Sequence, residues 1–349
     1  MQLGSLKNSP LFIERLWDLW CIASVVGIWP RFIEPRLIFS SYTTIPIPEL
    51  ARELEGLKIV QISDLHFTHA SSQGFLDRIV GRIHAIKPDL IVFTGDLITY
   101  SQLEDTERLK SFLKQLQAPL GTFAILGNHD YAEYVSLGND GRFRKIESHL
   151  PVLMRGFSRL FSTENAKEEG AIVRTAVSQI DALCEVFEES GVRLLHNETV
   201  QIGKKHALIN LVGLGDYMTG NCQPQEAFRN YAYSNPGIVL SHNPDSYDVL
   251  ENYPGDLLLF GHTHGGQVNL PLIWKKVTPL KNKLFKSGLF HIDRRFLYVN
   301  RGLGATFPFR WFAPPEVAIF ELVRQGPAKQ ALWDKLLPEE KSQEPICGT

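Results

Sequence analysis

The sequence predicts an α/β fold built on a covered sheet, and three observations carry that prediction. Five short apolar runs, Leu57–Ile62, Leu90–Thr94, Phe123–Leu126, Ile238–Leu240 and Leu257–Phe260, are bounded by Gly, Pro, Ser or Asp. Continuous apolar runs of this length suit strands buried on both faces. Each run leads directly into a polar cluster: Asp64-Leu65-His66, Gly95-Asp96, Gly127-Asn128-His129-Asp130, Ser241-His242 and Gly261-His262-Thr263-His264. Polar side chains just past the carboxyl ends of strands sit where α/β sheets build their sites. Finally, 349 residues that are 44% hydrophobic and 21% charged suffice for a full core.

Within the clusters His66, His242, His262, His264, Asp64, Asp96 and Asn128, four His, two Asp and an Asn, point to metal. Taken singly, His242 or Asp64 after a strand is more often a turn or cap residue than a ligand; the ordered set is not. No Cys occurs in any cluster, so the donors suit borderline or hard divalent ions such as Mn, Fe or Zn. One tetrahedral zinc needs three or four ligands. The seven donors here fit two metals that share a bridging carboxylate. Paired metals roughly 3.5–4 Å apart clamp the attacking and leaving oxygens of an in-line displacement at phosphorus. The chemistry expected is hydrolysis of a phosphoester or phosphoanhydride.

The remaining segments are read in chain order. In Leu11–Trp29 the unbroken apolar stretch Leu19–Trp29 is too short for a bilayer, which needs about 20 residues. No small-residue cleavage site follows it. Trp17, Trp20 and Trp29, with Phe12 and Phe32, suit a helix lying at the headgroup level, or one docked on the protein's own core. After Asp130 the chain spends Tyr131–Ser190 before the next strand, Gly191–Leu195. Within this insertion His149–Phe161 has helical apolar spacing, with Arg155 and Arg159 on one face, and Ile172–Ser190 reads as a core helix. The first suits a lid or membrane-surface patch, or simply a covering helix. Trp274–Lys286 interleaves five Lys with apolar residues, which favours an anionic lipid surface or a solvated face. The tail from Gln325 to Thr349 is rich in Lys, Glu and Pro. Net charge is 36 − 38 = −2, which argues against general nucleic-acid affinity. Cys21, Cys184, Cys222 and Cys347 are scattered, as expected in a reducing compartment.

The order D-x-H, G-D, G-N-H-D, a lone His after a strand, then G-H-x-H resembles the calcineurin-like metallophosphoesterase superfamily, over roughly residues 57–325. The resemblance implies a four-layer αββα sandwich, here with an N-terminal hydrophobic helix and a helical insertion. It implies that Asp64, His66, Asp96 and His264 hold one metal, and that Asp96, Asn128, His242 and His262 hold the other. His129 would be the catalytic histidine, with Asp130 either orienting it or capping the following segment. The closing Asn300-Arg301-Gly302-Leu303-Gly304 and Pro315-Glu316, with SDLHF, SHNPD and GHTHGGQ, resemble the bacterial membrane-associated branch. Within that branch the chain looks like the UDP-2,3-diacylglucosamine pyrophosphatases of lipid A synthesis. Arg301, with Arg155 or Arg159, would then contact the diphosphate; Arg301 reads equally as a turn residue. The expected organisation is a membrane-associating segment over 1–45, a catalytic domain over 46–325 and a tail over 326–349. The expected cofactors are two divalent ions, Mn first. The expected partners are a lipid-linked nucleotide and the cytoplasmic face of the inner membrane, without nucleic acid. Two other readings stand beside this one: a phosphodiesterase or nucleotide pyrophosphatase on a soluble substrate, and a membrane-associated binding scaffold.

Overall fold

The computed structural model describes residues 10–99, 103–131, 135–137, 143–145, 180–269, 280–305 and 309–325. The expected helix His149–Phe161 with Arg155 and Arg159, residues Trp274–Lys276 and the tail beyond 325 lie outside them. Two six-stranded sheets dominate. The first has the order β1 (Phe39–Ile47), β14 (Glu316–Arg324), β2 (Lys58–Ile62), β3 (Leu90–Thr94), β4 (Thr122–Ile125), β7 (Val192–Leu194), parallel except where β14 meets β2. The second has the order β12 (Gly288–Ile292), β13 (Arg295–Val299), β11 (Leu257–Phe260), β10 (Gly237–Leu240), β9 (Ala207–Gly213), β8 (Glu198–Lys204), antiparallel only at its two edges.

The four layers follow from where apolar side chains go. Ile59, Val92, Phe123 and Phe320 of the first sheet pack on Ile209, Leu211, Ile238, Leu240 and Leu259 of the second. The opposite face of the first sheet, through Val60, Ile91 and Phe93, is covered by three helices: α2 (Gln73–Ile86), α3 (Thr106–Lys114) and α5 (Ile180–Glu189). Leu76, Ile79, Val80 and Ile83 form the buried stripe of α2, at the three-and-four spacing a helix needs. Ser72 starts that helix by accepting from Phe75 N, and Lys87 ends it in the left-handed region at φ 52°. Removing a fully buried ring such as Phe112 from this layer would cost about 3–5 kcal/mol. Short helical turns cover the outer face of the second sheet.

Three expectations need correction. The N-terminal segment does not extend to 45, because Phe39–Ile47 pairs along its whole length with β14 and belongs to the first sheet. The insertion is not helical throughout: among the described residues β5 (Val135–Leu137) and β6 (Phe143–Lys145) pair antiparallel, while of the expected helix Ile172–Ser190 the part Ile180–Glu189 is helical and 172–179 lie outside the described residues. The N-terminal helix is also longer than its apolar run. α1 (Pro10–Ala23) widens into a π-helical stretch, Ser24–Ile33, which accommodates Pro30 instead of stopping there. Glu14–Arg36 is thus a 23-residue helical path of mean hydropathy 1.3, long and apolar enough to cross a membrane by length and composition. It is not packed on the core: Trp17 and Trp20 are 65% and 56% exposed.

Candidate metal centre

All five clusters meet where the carboxyl ends of β2, β3, β4, β10 and β11 converge. Hydrogen bonds tie the two sheets together there. His242 Nδ1 donates to the Thr94 carbonyl at 2.7 Å, and Gln61 Nε2 donates to the Phe260 carbonyl at 2.9 Å. Asp64, His66, Asp96, His262 and His264 all lie in the left-handed backbone region, at φ 47–70°. Asp tolerates that region better than most residues, and His is also enriched there. Five such residues in one crevice mark backbone strain that is held in place for function. The turns are also too tight for side chains at two glycines. A Cβ on Gly95 would lie 2.6 Å from His242 Nδ1, and one on Gly127 would lie 2.3 Å from Asp96 Oδ1.

Donor atoms fall into three overlapping groups, each within 4.8 Å: Asp64 with His66 and His264, His66 with Asp96 and His129, and Asp96 with His242 and His262. Asp96 is the shared member. Its Oδ2 lies 3.2 Å from His242 Nε2 and 3.7 Å from His66 Nε2, while Oδ1 accepts the His129 amide at 2.8 Å. His66 Nε2 and His264 Nε2 approach to 3.1 Å, and His264 Nε2 lies 3.6 Å from Asp64 Oδ1. Asp64 itself is held by the His262 amide, which donates to its carboxylate at 3.0 and 3.1 Å. Asn128 is buried beside His129 in the short helix α4 (Asn128–Tyr131).

The electrostatics fit cation binding. Burial lowers His66 and His262 to about 3 and His264 well below its ordinary value, so all three are neutral and have lone pairs to offer. Burial raises Asp64 to about 6. Burial opposes ionisation of Asp96 too, but His242 and His129 overcome it and hold that carboxyl well below its usual range. His262 Nε2 is buried and has no hydrogen-bond partner among the described residues. His242 Nδ1 and His66 Nδ1 are occupied by Thr94 O and Thr99 Oγ1, which directs each Nε2 into the crevice. Three buried neutral imidazoles, His66, His262 and His264, together with the carboxylates of Asp64 and Asp96 fit divalent metal.

Two other predicted residues, Asp130 and Arg301, make hydrogen bonds within the protein. Asp130 accepts from Ile98 N at 3.0 Å with Oδ1 and from Gly127 N at 2.9 Å with Oδ2, so it staples the loops after β3 and β4. Arg301 turns its guanidinium onto buried Glu316, with Nε and Nη2 each at 3.2 Å from a carboxylate oxygen. Asp216 and Arg310, both fully buried, had no signal in spacing or pattern. Burial raises Asp216, whose Oδ2 accepts Thr219 N at 2.8 Å.

Comparison with known proteins agrees with this arrangement. The family model described as calcineurin-like phosphoesterase matches residues 57–266. The UDP-2,3-diacylglucosamine pyrophosphatase LpxG of Chlamydia muridarum is 39% identical over 303 residues, covering 84% of this chain and 91% of the relative. Its counterpart from Chlamydia trachomatis has the same identity and coverage. The phosphodiesterase YaeI of Escherichia coli is 28% identical over 295 residues, covering 84% of this chain and 89% of the relative. The chain therefore belongs to the calcineurin-like metallophosphoesterase family and is a hydrolase.

Proposed function

We propose that the chain hydrolyses the pyrophosphate of UDP-2,3-diacylglucosamine, releasing UMP and 2,3-diacylglucosamine 1-phosphate, in lipid A synthesis. The observation that carries this reading is the 39% identity to two pyrophosphatases of that name across most of both chains. In this reading Asp64, His66, Asp96 and His264 hold one divalent ion, and Asp96, Asn128, His242 and His262 hold the other, with Mn the first candidate. When bound, such a pair supplies Lewis-acid stabilisation of charge on the phosphoryl oxygens. The protein's own part is placement. Asp96 Oδ1 fixes the His129 backbone at 2.8 Å, and burial lowers the His129 pKa. The neutral ring then donates its N–H to a phosphate or leaving oxygen. Asp130 contributes by holding the loop that carries His129.

A substrate with two acyl chains needs an enzyme at the membrane, and the exposed helix Glu14–Arg36 supports membrane contact. The scattered cysteines favour the cytoplasmic face. The similarity to YaeI supports a second reading, a phosphodiesterase with a soluble substrate. Mn-dependent hydrolysis in detergent micelles, with products resolved by mass and UDP-N-acetylglucosamine run in parallel, separates the two. The lipid reading predicts UMP and diacylglucosamine 1-phosphate from the lipid substrate alone. Inactivity on the lipid with turnover of simple diesters would leave the phosphodiesterase.

A further inference from the structure

Behind the Asp64–His66–His264 group lies a buried cation with no carboxylate at ion-pair distance among the described residues. Arg310 is fully buried. Its Nη1 donates to the carbonyls of Arg301 at 2.9 Å and Ala313 at 2.8 Å. Its Nη2 donates to the carbonyls of Gly302 at 3.2 Å and Gly304, and lies 3.4 Å from His264 Nδ1. Burying a guanidinium without a counter-ion is costly unless its hydrogen bonds are satisfied. Here four carbonyls do so, and only a planar fork reaches several at once. The loop so gathered is the one that holds Asp64. Leu303 N donates to Ser63 O at 2.9 Å and Gly304 N to Asp64 O at 2.7 Å. Arg310 thus supports the backbone of one donor and stands against the ring of another.

The same segment receives the end of the N-terminal helix. Arg310 N donates to the Pro30 carbonyl at 2.8 Å, and Ala313 N donates to Glu34 Oε1 at 2.6 Å. Glu34 is 3% exposed, and its other oxygen accepts Trp29 Nε1 at 2.8 Å. A chain of hydrogen bonds therefore runs from Trp29 through Glu34 and residues 310–313 to Asp64. We propose that Arg310 is a positioning residue for the Asp64–His66–His264 half of the centre, and that Glu34 attaches the N-terminal helix to it. Among the hydrogen bonds described above, the Asp96–His242–His262 half meets this chain of bonds at one point, where the His262 amide donates to the Asp64 carboxylate; none of them joins Arg310 to Asp96, His242 or the His262 ring. This rests on the two-metal reading.

Full-length protein in detergent micelles, stripped of metal and titrated with Mn while free Mn is followed by electron paramagnetic resonance, tests it. A His242→Ala variant, impaired in the other half, identifies which affinity belongs to which half. Supporting residues of metal sites are worth about 10–100-fold in affinity. Arg310→Lys, which keeps the charge and loses the fork, should weaken the Asp64 half at least about tenfold and leave the other half within about twofold. Glu34→Ala should weaken the same half by a smaller factor, with the helical circular dichroism unchanged. Arg310→Lys leaving both affinities intact, or weakening both equally, would overturn the inference. Should Arg310→Lys not fold, the same criterion applied to Glu34→Ala decides. Wild-type protein that binds two Mn keeps the two-metal reading whatever the variants do; wild-type protein with a single site overturns both.

Discussion

Oδ2 of Asp96 lies 3.2 Å from Nε2 of His242, and that contact sets the proton balance of the centre. Burial disfavours charge on His242, but Asp96 overcomes it and lifts the imidazole to about 10. Nδ1 is already committed to Thr94 O, so the additional proton sits on Nε2, where a metal would bind. His66 and His262, lowered by burial to about 3, carry no such proton. Metal binding at pH 7.5 should therefore release about one proton, and affinity should rise with pH until His242 deprotonates near 10. Calorimetric titration of metal-free protein in buffers of different ionisation enthalpy measures this directly. An enthalpy independent of buffer would mean that His242 is neutral before the metal arrives.

Asp96 is also the residue whose loss should be most damaging. One oxygen faces His242 and His66 while the other holds the His129 backbone. Asp96→Ala should lower the rate at least about 10³-fold and reduce the metal content of both halves, since two-metal catalysis needs the pair intact. Metal analysis beside turnover of an aryl phosphodiester checks both parts. Near-normal turnover would remove Asp96 from the bridging role.

The strands and the donor clusters were legible because of how each is buried. Leu90–Thr94 is apolar on both faces and has no alternative to a covered strand, and its polar cluster begins where the strand ends. The length of the N-terminal helix is not legible in the sequence, because Pro30 reads as a stop whereas a π-helical widening lets the helix pass it. Most of β1, residues 39–45, falls within the expected membrane segment because its partner, β14, lies more than 250 residues away in sequence. Arg310 and Glu34 carry no periodic or spacing signal at all. What makes them important is a set of carbonyls and amides that only the folded loops bring together. Arg301 was ambiguous for the same reason, since its partner Glu316 is fixed by β14 and not by neighbouring sequence.

Steric crowding at Gly127 gives a test that leaves every donor in place. An added Cβ would lie 2.3 Å from Asp96 Oδ1, 2.6 Å from Asp96 N and 2.8 Å from His242 Cε1. Backbone cannot yield as a flexible side chain does, so the two loops must part. Gly127→Ala should lose metal affinity by tenfold or more and melt at a lower temperature. Gly81→Ala is the matched control: nothing lies within 4 Å of its Cβ, and it sits in the interior of α2. That change should be neutral or stabilising by up to ~1 kcal/mol. Equal metal affinity in the two variants would show that the Gly127 turn has room to relax.

His129 is the residue on which chemistry and metal binding part company. Its ring lies edge-on to His66 with centroids 4.7 Å apart, and it belongs to a donor group with His66 and Asp96. It is 7% exposed, and the Asp96 carboxylate accepts from its backbone amide at 2.8 Å. A residue placed by its backbone, with its ring turned towards the crevice, is suited to donate a hydrogen bond to a phosphate or leaving oxygen without being needed to retain the ions. His129→Ala should keep both metals with affinities close to wild type and lose about 10²–10⁴ in rate. The loss should be largest for substrates with poor leaving groups, because a hydrogen-bond donor matters most when the departing oxygen gathers the most negative charge. A leaving-group series of aryl phosphodiesters, run beside metal analysis, therefore distinguishes two origins of the same defect. Full metal content with a steeper dependence on leaving-group pKa assigns the ring to hydrogen-bond donation at the leaving oxygen. A missing metal with an unchanged dependence would make His129 a ligand and return the donor role to another group in the crevice.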